Sequence, residues 1–304
     1  MNPHVSLEQW AIFQAVVEHG SFQAAADKLL KSQSSVSYAI QKLQQGLGVQ
    51  VFEHQGRKAV LTEAGKLILQ RSENLLKQAH SIEKAAQDFA AGWEPQIGLV
   101  ASDMFPAEVL HRALADFGEQ CPQTRLELYR EVLSGVSDRL LNGHCDLGLD
   151  NIIPTGMMGE PLFEAEFMRV AHPDHPLHHL GRPVTQEDMR QHRQIVIRDS
   201  GSHRRENRGW LGSDQRWTVS SMKEALGILK EGLGFGVTSR LLAQEALDNN
   251  QLKELDLEVH GPFKATMYLI YANKGATGPA AKLLAELIKN GVKSEYSTSP
   301  SFQK

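Results

Sequence analysis

Cysteine is scarce in this sequence. The 304 residues hold two, Cys121 and Cys145. That is too few for a disulfide framework, and neither lies in a CxxC pair or a metal-ligand cluster. Both read as small buried hydrophobes. No run approaches the roughly 18 apolar residues that a membrane helix needs. The opening MNPHVSLEQW lacks a basic region followed by an apolar one, so no export signal is expected and the expected compartment is the cytoplasm. No GxSxG, P-loop, HExxH or strand-following GxGxxG occurs. GLGFG (232–236) precedes an apolar strand instead of following one and reads as a tight turn. An enzyme is therefore not expected, nor a cofactor or a metal. The histidines of HPDHPLHH (172–179) sit in a proline-rich stretch that reads as a surface loop without fixed ligand geometry.

Strong charge of either sign is also missing: the net is −4. The distribution says more. Residues 1–91 carry a net +1 and the remainder −5. Between residues 28 and 66 six basic residues face only Glu53 and Glu63. This is a local basic patch on an acidic protein.

The N-terminal pattern is helical. Ser6 caps a helix over 6–19 whose stripe is Leu7, Trp10, Phe13 and Val17, and Gly20 stops it. Ser21 caps a second, with Leu29 and Leu30 closing its apolar face. A third starts near Ser32 and buries Val36, Ile40, Leu43 and Leu47. Its other face shows Gln33, Ser34, Ser35, Ser37, Tyr38, Gln41 and Lys42. Two short helices with a tight connection, the second polar outside, describe a helix-turn-helix. Such a helix enters the major groove of double-stranded DNA, where hydroxyls and amides read base edges.

Val49, Val51 and Phe52 then start a strand that turns at Gly56 and returns through Ala59–Leu61. Arg57 and Lys58 at its tip suit phosphates. Thr62 caps a long helix reaching about Ala91. Ile68, Leu75, Ile82 and Phe89 recur every seven residues, with Ser72, Ala79, Ala86 and Trp93 four places later. A repeat held this long predicts a dimerisation seam. Beyond Gly92 and Pro95, strands over 97–103, 125–132, 145–150, 166–172, 194–199, 217–221, 235–239 and 266–273 alternate with helical stretches. That alternation implies an α/β domain with a parallel sheet. The helix expected over 278–290 closes it, and SEYSTSPSFQK reads as a disordered tail. A solute-binding protein without DNA function would leave the helix-turn-helix with no role.

The block SFQAAADKLLKSQSSVSYAIQKLQQGLGVQVFEH (21–54), followed by LTEAG (61–65), resembles the LysR-type transcriptional regulators in order and spacing. CDLGLD, HPDHPL and EGLGFGVTS extend the resemblance, more weakly, over nearly the whole chain. Tyr38 and His54 stand where the family usually has basic residues, and Gln44 where it usually has Glu. Protonation of His54 would strengthen its hold on phosphate below about pH 6.5.

The fold implied is a multidomain α+β chain. A winged helix-turn-helix (1–62) is followed by a linker helix (63–92) and an effector-binding domain (93–304). That last domain resembles periplasmic binding proteins, with two Rossmann-like subdomains, about 95–165 with 266–292 and about 166–265. The partners implied are promoter DNA, a second copy or a tetramer, RNA polymerase, and a small effector such as an organic acid or amino-acid-like metabolite. Ligands of doubly wound lobes sit at the carboxyl ends of strands. Those ends hold Ser102, Asp103, Asp150, Ser200, Gly201, Ser202, Ser220 and Thr238. The resemblance singles out Ser102, Ser200 and Thr238 as donors. Arg204, Arg205, Arg208 and Arg216 make a cationic stretch near the expected cleft, read first as a solvated rim and alternatively as a group that recognises a carboxylate or phosphate ligand.

Overall fold

The computed structural model describes residues 3–55, 58–202, 210–259 and 261–296. The chain divides into two compact units, Met1–Ala91 and Gly92–Lys304.

The first unit contains helices α1 (Leu7–His19), α2 (Phe22–Lys28) and α3 (Gln33–Leu47), strands β1 (Phe52–Gln55) and β2 (Lys58–Leu61), and helix α4 (Glu63–Ala90). Each helix begins on a hydroxyl cap: Ser6, Ser21, Ser32 and Thr62. At α1 the cap is reciprocal, with the Gln9 amide N–H donating to Ser6 Oγ and the Ser6 N–H to Gln9 Oε1. Gly20, at φ 71°, ends α1 as its freedom in the left-handed region predicts.

The buried face of α1 is Ile12, Phe13, Ala15 and Val16, while the expected Leu7 lies at the exposed first turn. Leu30 also departs from expectation. It leaves the helix at φ 53° and is 94% exposed, because it occupies the turn into α3; Leu29 alone reaches the core. The core joins Phe13, Val16, Ala25, Val36, Leu43 and Phe52, with Phe13 and Phe22 rings set against Phe52. Val49 is exposed, so the first wing strand begins only at Phe52.

The second unit holds strands β3 (Gln96–Ser102), β4 (Arg125–Glu131), β5 (Leu147–Asp150) and β6 (Met158–Ala171). It continues with β7 (Gln194–Ile197), β8 (Arg216–Val219), β9 (Phe235–Ser239), β10 (Lys253–Glu254) and β11 (Phe263–Tyr271). Its helices are α5 (Ala107–Gln120), α6 (Ser134–Leu141), α7 (Gln186–Arg190), α8 (Met222–Lys230), α9 (Arg240–Asp248) and α10 (Pro279–Tyr296). One sheet runs in the order β4-β3-β5-β11-β6-β9-β7-β8, with β10 beside β6.

The sheet is mixed rather than wholly parallel. β3 is parallel to β4 and β5, and β7 to β8 and β9, which makes two doubly wound lobes. The long strands β6 and β11 pair antiparallel with each other and pass through both. Their register slips between Met267 and Tyr268, where Pro161 faces Tyr268. Proline cannot donate to a ladder and is tolerated at such irregularities. The Gly and Pro of MGEPLFEA conceal this first half of β6 from pattern reading.

The phrase CDLGLD has a packing explanation. A side chain on Gly98 would collide with the His144 carbonyl, and one on Gly148 with Leu140. Asp146 Oδ2 accepts the Gly98 N–H at 2.8 Å, tying β3 to the start of β5. The tail expectation fails in part. Ser294–Tyr296 continue α10, and Tyr296 is buried, stacked 4.9 Å from Phe163. Residues 297–304 lie outside the described residues.

Candidate functional site

Helix α3 presents two distinct faces. Val36, Ile40 and Leu43 are buried, whereas Gln33, Ser34, Ser35, Ser37, Tyr38, Gln41 and Lys42 are all exposed. Tyr38 is 61% exposed, and Lys42 Nζ lies 5.7 Å from its ring centre. Ser32 Oγ accepts the Ser35 N–H at 3.2 Å and contacts the Ser34 and Ser35 hydroxyls at 2.9 and 2.8 Å. The first turn of the helix is thus a knot of hydroxyls around exposed backbone N–H groups. That arrangement can take a phosphate oxygen or a base edge.

The wing pairs Phe52 with Leu61 through Gln55 with Lys58. Arg57 lies outside the described residues, as do the side chains of His54 and Lys58. Gln44 explains itself: its Oε1 accepts the Val51 and Phe52 N–H groups at 2.8 and 3.3 Å, holding the wing onto α3. Only an acceptor oxygen is needed there, so the amide suffices.

LTEAG closes the wing. Thr62 Oγ1 accepts the Gly65 N–H and donates to Gln50 O, and a side chain on Gly65 would meet Val51 O at 2.2 Å. On α4, Ile68 is half-buried against the unit's own core, and Ser72 is buried with Gln14 at 3.5 Å. The seven-residue stripe is therefore consumed by its own unit at that end. Farther along it lies open: Ile82 is 71% and Phe89 72% exposed, with Leu75 exposed as well.

The second unit contains a cavity of about 450 Å³. Ser102, Asp103, Asp150, Asn151, Arg169 and Gln194 give it polar groups, and the remaining thirteen lining residues are apolar. The cavity does not stop at the strand ends. It follows the whole of β7 from Ile197 back to Gln194 and is bordered by Trp210, Phe167 and Phe263. Burial lowers the Arg169 guanidinium pKa.

Of the expected strand-end residues, Ser102, Asp103 and Asp150 line this cavity; Ser200, Gly201, Ser202, Ser220 and Thr238 do not. Ser200 and its neighbours are engaged in joining the lobes. Ser200 Oγ accepts the Val132 N–H at 2.8 Å and donates to Val132 O at 3.0 Å, and the Ser202 N–H donates to Asp138 at 2.6 Å. Gly201 packs so closely that a side chain would strike Ser134 Oγ. Ser220 is exposed, and Thr238 is wholly buried in β9.

Each lobe also sends a carboxylate to a helix N-terminus of the other. Helix α6 receives no hydrogen bond from its own cap side chain, since Leu133 precedes it at φ 52°. Asp199 of the opposite lobe accepts the Ser134 N–H at 3.0 Å instead. Reciprocally, Asp103 Oδ2 accepts the Met222 N–H at the start of α8. A carboxylate at a helix N-terminus meets both free N–H groups and the positive end of the helix dipole.

Sequence reasoning missed Arg169, Gln194 and Trp210. An arginine inside the apolar run FMRVA and a glutamine leading QIVI were the available signals. Neither cysteine forms a disulfide among the described residues; both are buried, and burial pushes the Cys145 thiol up to about 12. The histidine loop forms no metal-holding group among the described residues. Arg204, Arg205 and Arg208 lie outside those residues.

The comparisons with known proteins agree with this architecture. The family described as "Bacterial regulatory helix-turn-helix protein, lysR family" matches residues 7–66, and "LysR substrate binding domain" matches residues 90–293. The chain belongs to the LysR family of transcriptional regulators.

The LysR relatives include the uncharacterized HTH-type transcriptional regulator YeeY of Escherichia coli strain K12. It is 31% identical over 259 residues, covering 82% of each chain. HTH-type transcriptional regulator PunR of the same strain is 27% identical, covering 91% of this chain and 90% of its own. CrgA of Neisseria meningitidis shares the fold at a TM-score of 0.52 and 21% identity, covering 94% of this chain and 98% of that one. LysG of Corynebacterium glutamicum, solved with bound effector Arg, gives 0.52 at 16%, covering 97% and 99%. The protein is a DNA-binding transcriptional regulator with an effector-binding domain.

Proposed function

We propose that α3 reads promoter DNA through Gln33, Ser34, Ser35, Ser37, Tyr38, Gln41 and Lys42, with Ser32 at its cap and His54, Arg57 and Lys58 on the wing. The observation that carries this is the division of α3 into a wholly exposed polar row and a buried apolar row. The open part of the α4 stripe, Leu75, Ile82 and Phe89, joins two copies, and the dimer or tetramer sets two reading helices on an inverted repeat.

The effector sits in the lobe cavity, against Ser102, Asp103 and Asp150. LysG, which shares the fold, is the protein solved with bound Arg; that supports a ligand-holding domain and leaves this chain's ligand open. Ligand acts by its differential affinity for two arrangements of the lobes, a coupling of about 1–3 kcal/mol. In this reading the ligand is released unchanged, the protein works in the cytoplasm beside its promoter, and RNA polymerase is a further partner.

The test is DNA affinity as a function of salt, on a promoter fragment enriched from genomic DNA. Tyr38→Ala is expected to weaken the specific site by about 1–3 kcal/mol while nonspecific binding stays. Arg57→Ala is expected to weaken all DNA and lower the salt slope by about one unit. Identical behaviour of the two variants would remove α3 as the reading helix.

A further inference from the structure

Leu133 holds a backbone that its side chain disfavours. It stands at φ 52° and ψ −117°, and across it the Gly135 N–H donates to the Val132 carbonyl at 3.1 Å. These angles belong to the first central residue of a type II′ turn, a position that glycine fills because a Cβ crowds the backbone there. Val132 and Leu133 are the whole connection between β4 and α6, and both line the cavity. Strain of this kind persists only where the surroundings over-determine it, and it gathers at ligand clamps and switch regions.

The groups that hold it belong to the opposite lobe. On one side of Leu133, the Val132 N–H donates to Ser200 Oγ at 2.8 Å, and the Val132 carbonyl accepts the Ser200 hydroxyl at 3.0 Å. On the other side, Ser134 gives both its N–H and its hydroxyl to Asp199. A side chain on Gly135 would strike Ser200 Oγ, so the two segments meet without slack. Both neighbours of Leu133 are thus fixed across the cleft by the loop after β7. Separating the lobes breaks these bonds and removes the restraint on φ.

Resting on the reading that the effector acts through two arrangements of the lobes, we propose that Leu133 is the strained member of a two-position switch. Clasped by Ser200 and Asp199, it is held at positive φ with its side chain in the cavity wall. Released, it returns to negative φ, its side chain leaves the wall, and the first turn of α6 loses the Asp199 carboxylate. A molecule seated against Leu133 then has different affinities for the two positions, which is what a ligand needs to shift them. The strain offsets part of the clasp's stability and keeps the two positions within reach of that difference.

The test is amide hydrogen exchange on the full-length protein, read at Ser134 and at Met222. The Met222 N–H donates to Asp103 and so reports on the lobe contact from the opposite lobe. Leu133→Gly relieves the strain and is expected to slow exchange at both amides about tenfold. Ser200→Ala removes both hydroxyl bonds to Val132 and is expected to speed both about tenfold. The double variant is expected to return near the unmodified rates. Faster exchange at Ser134 in Leu133→Gly would mean that no strain is stored, and an unchanged Met222 would mean that the turn acts only locally; either overturns the switch. If Leu133→Gly fails to fold, an unchanged Met222 in Ser200→Ala overturns it alone.

Affinity of the same proteins for the enriched promoter fragment separates this switch from the reading beneath it. Opposite shifts in Leu133→Gly and Ser200→Ala support both. Exchange that moves as expected, with one DNA affinity throughout, would overturn the reading that DNA binding follows the lobes and leave the switch standing.

Discussion

The carboxylate of Asp199 holds the first turn of a helix in the opposite lobe: its Oδ1 accepts both the N–H and the hydroxyl of Ser134, at 3.0 and 2.9 Å. The loop after β7 is thereby the cap of α6. In return Asp103 accepts the Met222 N–H at the start of α8, a helix that also has its own cap, Ser221. Any opening of the cavity on this side leaves α6 without a side-chain cap, while α8 loses the Asp103 carboxylate and keeps its own cap, Ser221, whose Oγ accepts the Glu224 N–H.

Asp199→Ala is expected to cost about 1–2 kcal/mol, the usual range for a lost N-cap. The measurement is hydrogen exchange at Ser134 and Gly135 together with thermal unfolding. Faster exchange at these amides is the expected result; unchanged protection would show that the cap is not what joins the lobes.

Gly65 and Gly118 make an opposed pair. A side chain at Gly65 meets the Val51 carbonyl at 2.2 Å, whereas Gly118 in α5 has nothing within 4 Å. Gly65→Ala is expected to destabilise the first unit by about 1–3 kcal/mol through backbone displacement. Gly118→Ala is expected to stabilise the second by about 0.5–1 kcal/mol through helix propensity. Equal effects in thermal unfolding would contradict the close approach of α4 to the wing.

His175 makes stability depend on pH. It is buried, its ring 5.0 Å from that of His192, and its Nδ1 accepts the Leu177 N–H. Burial first, then the neighbouring His192, His178 and His172, lower its pKa to about 4. A histidine depressed in the folded state binds fewer protons there than in the unfolded chain, so its contribution is complete above about pH 6.5 and falls away toward pH 4. His175→Asn keeps an acceptor for the Leu177 N–H and does not titrate. Between pH 7 and 5 the unmodified protein is expected to lose about 2 kcal/mol more than this variant. Parallel losses in denaturant titrations would show that another group carries the dependence.

The helix-turn-helix was legible because its determinants are local. Hydroxyl caps, a glycine stop and a 3.6-residue apolar period all lie within a few residues of the helices they define. The cavity was less legible because its wall is assembled from segments far apart in the chain. Ser102, Asp103 and Asp150 follow from the rule of strand ends, but Arg169, Gln194 and Trp210 come together only through the pairing of β6, β9 and β7 and the chain returning past β7. Ser200 and Ser202 stand at a strand end and bind the other lobe instead, a choice set by tertiary geometry. At Ile68 and Ser72 the α4 repeat faces α1 and the core of its own unit, because the helix still lies against them there.

The most direct test of the account is recovery of sheared genomic DNA by the purified protein at about 0.15 M salt, followed by sequencing, with and without small molecules from cell extract. The account predicts a few sharp intergenic peaks sharing an inverted repeat, lost in Tyr38→Ala. Flat recovery under both conditions would contradict it.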